Sequence, residues 1–182
     1  GVCGQVESHC QGLSARRLER MRALYCSVQV TPRAVQRPGY DRLPPIQQER
    51  IELIHGSLIY RDQRLAGFDA VAVIEVIEHL DPPRLSAFER VLFEFARPKT
   101  VVLTTPNREY NSMWETLPAR QFRHPDHRFE WSRTEFQDWA RRVAEKYAYS
   151  VRFLPVGPEN AVVGAPTQMA VFELDGATPA TS

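Results

Sequence analysis

Two short segments hold side chains whose types and spacing suit metal-assisted chemistry at an oxygen atom. The first is Glu75-Val76-Ile77-Glu78-His79-Leu80, two carboxylates and an imidazole at the end of the apolar run Phe68 to Glu75. That run predicts a strand buried on both faces of a parallel sheet. The trio therefore falls at the C-terminal end of a strand, the edge where open α/β sheets bind their ligands. If the chain turns helical there, Glu75, Glu78 and His79 share one face at i, i+3 and i+4. Two oxygen donors and one nitrogen suit Mg2+ or Mn2+, with Mn2+ more tolerant of nitrogen. The plainer alternative stays open at this point: two solvated glutamates and a helix-end histidine.

The second segment, Phe122 to Trp131 (FRHPDHRFEW), holds His124 and His127, two of the five histidines. It belongs to a long loop expected from Pro106 to Trp131, and loops of that length are functional or disordered. Phe122, Phe129 and Trp131 favour order, because aromatic side chains bury poorly in a mobile segment. His127 can supply a fourth metal ligand and Arg123 a phosphate contact, against the alternative of surface histidines. From Ala119 to Arg152 eight basic residues face five acidic ones, a local +3. That bias is compatible with a phosphate-bearing partner, and a solvated helix face explains it equally well.

The surrounding elements alternate between apolar runs and helix-period segments, which points to an α/β sheet protein. Ser14 is expected to cap a helix through Tyr25, followed by a short strand from Cys26 to Val30. Pro32 to Pro45 reads as loop, and Ile51 to His55 as a strand ending at Gly56. Asp81-Pro82-Pro83 is expected to cap a helix with proline at its first position. Leu85, Phe88, Leu92 and Phe95 mark that helix's buried face. Thr100 to Thr104 forms the next strand, closed by Pro106. Ser132 and Glu135 make a capping box for a helix that buries Phe136, Trp139, Ala140 and Val143. Tyr149 to Leu154 and Thr167 to Leu174, joined without a helix, are expected to be antiparallel neighbours. Gly176 to Ser182 reads as a frayed tail.

Length and composition bound the class. The 182 residues fit one domain, with 43% hydrophobic and 25% charged residues, which excludes collagen, coiled coil and global disorder. A net charge of +1 gives no global field toward nucleic acid or membrane, so any anion site must be local. The longest apolar run, Ala70 to Ile74, is far too short for a membrane helix. Cys3, Cys10 and Cys26 are odd in number and lack metal-ligand spacing, which favours a reduced, cytoplasmic compartment. Residues 1–12 are polar, with no apolar signal region. Only Lys99 and Lys146 of the 23 basic residues are lysines, which we read as codon bias.

Taken together, Glu75 to Leu80 (EVIEHL), Thr105 to Asn107 (TPN), Phe122 to Phe136 (FRHPDHRFEWSRTEF) and Ile51 to Ser57 (IELIHGS) resemble the Hen family. These are RNA 3′-terminal ribose 2′-O-methyltransferases, and the bacterial branch is the nearer match. Similarity runs from about Asp41 to Leu174. The resemblance implies a Rossmann-like class I methyltransferase that uses S-adenosylmethionine, with a mostly parallel sheet and an antiparallel last strand. It also implies that Glu75, Glu78, His79 and His127 hold Mg2+ or Mn2+, which binds the 2′- and 3′-hydroxyls of the RNA 3′ end. Such a cation lowers the pKa of a sugar hydroxyl and fixes its orientation, and the sulfonium methyl must lie in line with the attacking oxygen. By the same resemblance His127 and His124 are catalytic positions, His124 as proton acceptor or RNA contact, with Arg123 and Asn107 as further RNA contacts. Relatives work in RNA repair beside a polynucleotide kinase-phosphatase, so such a partner is implied.

In the N-terminal part, the family's glycine-rich cofactor loop matches Gly1 to Val6 (GVCGQV), which keeps Gly4 and carries Val6 at a glycine position. No strand precedes it, so the sheet is expected to lack its N-terminal strand. The acidic residue that holds the cofactor's ribose matches Gln29, and Ser57 matches a cofactor-contacting position. One domain is expected over 1–182, with a divergent or truncated cofactor part at 1–40, a metal and RNA part at 41–174 and a tail from 175. Two further readings follow from Val6, Gln29 and the Gly1 start: an RNA 3′-end binding module that takes no cofactor, or a truncated fragment.

Overall fold

The computed structural model describes the backbone of Ala23–Cys26 and residues 56–115, 117–118 and 121–176. The expectations for Gly4, Gln29, the start of the helix at Ser14 and the strand at Ile51 to His55 lie outside those residues. Five strands form one mixed sheet: β1 (Ala23–Cys26), β2 (Ala70–Ile74), β3 (Thr100–Pro106), β4 (Tyr149–Val156) and β5 (Thr167–Leu174), in the order β1-β2-β3-β5-β4. β1, β2 and β3 are parallel neighbours, and β5 runs antiparallel to both β3 and β4. The last strand is thus antiparallel, as the sequence suggests, but it lies inside the sheet and not at its edge.

One expectation for the N-terminal part is corrected. Ala23, Leu24 and Tyr25 are strand and not the end of a helix, and Cys26 is strand as expected. Pairing from Ala23↔Ala70 to Cys26↔Val73 gives these residues backbone partners along β2, and such long-range pairing overrides a short helical periodicity. The sheet continues past β2 to β1, which lies beside it in parallel. The strand that leads into the site is therefore hydrogen-bonded on both sides.

Between β2 and β3 the chain forms one continuous helical stretch of mixed pitch. A 3-10 turn at Pro82–Arg84 leads into α1 (Leu85–Glu89), which continues as a π-helical segment over Arg90–Ala96. Asp81 makes no side-chain cap. Pro82 and Pro83 have no N–H to offer it, and the Arg84 N–H goes to the Asp81 carbonyl at 2.7 Å. The wider pitch also rotates the expected apolar face. Leu85, Phe88 and Leu92 are buried as expected, Phe93 takes the next buried position, and Phe95 is half-buried beneath Arg61.

Helix α2 (Arg133–Tyr147) opens on the expected capping box: Ser132 Oγ accepts from Glu135 N–H, and Glu135 Oε2 accepts from Ser132 N–H at 2.8 Å. Its buried face carries Phe136, Trp139, Ala140, Val143, Ala144 and Tyr147. These pack with Phe88, Phe93 and Phe172 against Val71, Val73, Val101 and Leu103 of the sheet. Each fully buried aromatic or branched side chain contributes roughly 1.5–3 kcal/mol. A smaller cluster of Val156, Met169 and Val171 forms separately, packed by Val102 and Leu154.

Candidate active site

The site forms where β2 ends. Ile74 pairs with Thr104, and Glu75 then adopts a left-handed conformation with φ 52°. Its N–H still bonds back to the Thr104 carbonyl at 3.2 Å. The expected single helical face for Glu75, Glu78 and His79 therefore does not form. Glu75 turns the chain out of the sheet, and only Ile77–His79 is helical, as a 3-10 turn. Left-handed backbone is costly for a residue with a Cβ and is characteristic of functional sites.

Glu78 is fully buried. Its Oε2 accepts from the Thr105 hydroxyl at 3.0 Å, whereas its Oε1 has no partner. Oε1 of Glu75 is likewise buried and unpartnered. Burial, reinforced by the nearby Glu75 charge, pushes the Glu78 carboxyl up to about 8. Burial raises Glu75 as well, with Thr104 and Arg123 opposing it. Two adjacent buried carboxylates with orphaned oxygens fit a divalent cation, whose charge would reverse both shifts.

Among the described residues, the ring nitrogens of His79, His124 and His127 lie within 4.8 Å of one another, a group that includes neither carboxylate. His79 and His127 meet edge to face with centroids 4.8 Å apart. Burial, followed by the His127 and His124 charges, lowers the His79 pKa, with Asp126 opposing it. His127 Nδ1 sits 2.6 Å from Glu130 Oε1, so Nδ1–H donates and Nε2 keeps a free lone pair. That is how metal-ligating histidines are usually held, by an outer carboxylate or carbonyl. Glu130 is itself buried and satisfied by Arg123 N–H at 2.8 Å and Asn111 Nδ2 at 2.6 Å. The Arg128 N–H, donated to the Glu78 carbonyl at 2.7 Å, ties the histidine loop to the acidic turn.

Other expected site residues also make bonds within the protein. Asn107 is buried, donating to the Val163 and Ala165 carbonyls at 2.8 and 2.9 Å and accepting from Glu109 N–H at 3.0 Å. Both amide N–H groups are thereby used within the protein, and Oδ1 keeps one lone pair. The Arg123 guanidinium donates to Asn111 Oδ1 at 2.7 Å and to the Asn107 and Pro166 carbonyls at 2.6 and 2.5 Å. It clasps the histidine loop to β3 and the β4–β5 connection through Nε and Nη2. Ser57 is exposed, its hydroxyl accepting from Ile59 N–H at 3.5 Å. The segment read as loop contains a 3-10 helix at Arg108–Met113. Phe129 and Trp131 pack against the core, but Phe122 is exposed.

The functional roles of Glu130 and Asn111 were not foreseen. For Glu130 the signal was a carboxylate three residues after His127, the spacing at which one turn brings the two together. Asn111 carried no comparable signal.

No family model matches the chain. The small RNA 2′-O-methyltransferase of Gallus gallus is 45% identical over 136 residues, covering 72% of this chain and 36% of that protein. This chain therefore spans about a third of that relative's length. The methyltransferase domain of bacterial CtHen1 has been solved in two forms. CtHen1-CN is 42% identical, with 94% of this chain and 96% of that chain covered and a TM-score of 0.75. CtHen1-C is 56% identical, with 84% and 76% covered and a TM-score of 0.69. A chain of the Pnkp1/Rnl/Hen1 RNA repair complex, 20% identical, shares the fold over 95% of this chain and 42% of its own, with a TM-score of 0.61.

A site at the C-terminal edge of a mixed sheet, matched almost end to end by these domains, defines a Rossmann-like, S-adenosylmethionine-dependent methyltransferase domain. Its sequence identity to CtHen1 narrows the class further. The chain belongs to the Hen1 family of methyltransferases.

Proposed function

We propose that this chain transfers a methyl group from S-adenosylmethionine to the 2′-hydroxyl of the 3′-terminal ribose of RNA, with a divalent cation held by Glu75, Glu78, His79 and His127. The observation that carries the cation is the pair of orphaned, buried carboxylate oxygens on Glu75 and Glu78. A bound Mg2+ or Mn2+ would supply the positive charge that makes a ribose hydroxyl a competent nucleophile near neutral pH.

The chain's own residues do the positioning. Thr105 fixes one oxygen of Glu78 and leaves the other for the cation. Glu130 fixes the His127 tautomer so that Nε2 keeps its lone pair for a ligand. Arg123 and Asn111 hold Glu130 and the loop in place, which keeps the ligands preorganised for a reaction that depends on alignment. Gly4, Gln29 and Ser57 are the positions assigned to the cofactor. A terminus without both hydroxyls would lose a cation contact, which accounts for action at an RNA 3′ end. In line with the repair complex that shares its fold, we place the chain beside a polynucleotide kinase-phosphatase in RNA end repair.

Val6 and Gln29 favour one alternative, an RNA 3′-end binding module that takes no cofactor. Incubation with labelled S-adenosylmethionine, Mn2+ and RNA ending in a 2′,3′-diol separates the two. Label is expected on diol-ended RNA, with none on 2′-O-methylated or 2′-deoxy ends and none after chelation. Diol-specific RNA binding without label would favour the binding module. Transfer that persists after chelation would contradict the cation.

A further inference from the structure

The three histidines that lie together are not equivalent. His127 Nδ1 sits 2.6 Å from Glu130 Oε1, so Nδ1–H donates to the carboxylate and Nε2 keeps its lone pair. His124 has the opposite polarity. Its Nδ1 accepts the Asp126 backbone N–H at 3.2 Å, so in the neutral ring the proton sits on Nε2. The Asp126 carboxylate is 3.9 Å from Nδ1, beyond hydrogen-bond distance, and does not compete for that nitrogen. His124 is also the exposed member, with 54% of its side chain open to solvent against 8% for His127.

We propose that His124 is a hydrogen-bond donor to the substrate, neither a metal ligand nor a proton acceptor, and that Nε2–H binds the 3′-hydroxyl oxygen of the RNA's terminal ribose. This rests on the RNA-end reading above. The ring centroids of His79 and His127 lie 5.9 and 5.6 Å from that of His124, so a substrate atom seated against those two rings meets His124 as well. Of the two ribose oxygens, the 2′-oxygen must keep its lone pair for attack on the methyl carbon, and a donated hydrogen bond there would oppose the reaction. The 3′-oxygen takes no part in bond formation, so a donor there orients the sugar without dulling the nucleophile. Solvent exposure fits a residue that meets an incoming chain end.

The test measures binding on the full chain, with Mn2+ and diol-ended or 3′-deoxy-ended RNA as probes and His124→Ala, His124→Gln and His127→Ala as variants. His124→Ala should bind Mn2+ within about twofold of wild type while His127→Ala loses it. RNA with a diol end should bind His124→Ala about five- to tenfold more weakly. His124→Gln, whose amide nitrogen reaches the place of Nε2, should recover most of that loss. On 3′-deoxy-ended RNA the His124→Ala penalty should vanish. A loss of Mn2+ affinity in His124→Ala as large as in His127→Ala would make His124 a ligand and overturn the donor role. Unchanged RNA binding in His124→Ala, or an equal penalty on 3′-deoxy ends, would overturn it too. A wild-type chain that binds neither Mn2+ nor diol-ended RNA would overturn the reading of the site itself, and the donor role with it.

Discussion

His127 Nδ1 and Glu130 Oε1 stand 2.6 Å apart, three residues apart in sequence, in a pair almost closed to solvent. Glu130 spends its remaining acceptor capacity on the Arg123 backbone and the Asn111 amide. A single buried carboxylate thus sets the orientation of a site histidine and anchors the loop that carries it. Histidine held this way is a better-aimed ligand than a free one.

Glu130→Gln keeps the size of the side chain and removes its charge. Loss of such an outer partner typically lowers metal affinity 10- to 100-fold, and a drop in that range is expected here. Calorimetric titration with Mn2+ checks it, and affinity equal to wild type would show that His127 needs no such support.

The pH dependence of stability should carry the signature of Glu78. Its carboxyl stands at about 8 in the fold against an ordinary 4.5, mainly because it is buried. The folded, metal-free protein therefore holds a proton that the unfolded chain has released. Its contribution is full below the unfolded value and is lost as pH rises through the folded one. Between about pH 5 and pH 8, with chelator present, the wild-type urea midpoint should fall more steeply than that of Glu78→Gln. Parallel slopes would contradict the shift. Added Mn2+ should flatten the wild-type profile.

Arg123→Lys should not rescue Arg123→Ala. The guanidinium reaches an amide oxygen and two backbone carbonyls at once, a fork that a single ammonium cannot reproduce. Both variants should lose roughly 1–3 kcal/mol in denaturant unfolding. A variant of normal stability whose RNA binding loses part of its salt dependence would return Arg123 to the phosphate contact first expected.

Much of this was legible because local chemistry and tertiary structure agree. Ser132 and Glu135 announce α2, the runs at β2 and β3 are apolar enough to be buried strands, and the helix-free link between β4 and β5 leaves antiparallel pairing as the simple outcome. The acidic turn and the histidine loop carry residue types that draw attention on their own. What the residues did not reveal depends on long-range partners. Asn107 looks like an exposed recognition residue until the 157–166 connection closes over it with two carbonyls. The left-handed turn at Glu75 has no glycine to mark it, and the π-helical pitch after Glu89 has no local signature. Ala23–Cys26 becomes strand only because β2 lies beside it.

Two substitutions test the support beneath the site. Ser132→Ala removes one half of the capping box and should cost about 1 kcal/mol. Phe136→Ala empties a fully buried ring position and should cost roughly 3–5 kcal/mol. Urea unfolding measures both, and equal effects would contradict the packing described for α2.

The central claim is that this chain is a methyltransferase and not only an RNA-end binder, and cofactor binding tests it most directly. In a calorimetric titration of S-adenosylmethionine into the chain with Mn2+ present, micromolar affinity is expected, about −8 kcal/mol. No heat from a sample that unfolds cooperatively would contradict the claim and leave the RNA 3′-end binding module in its place.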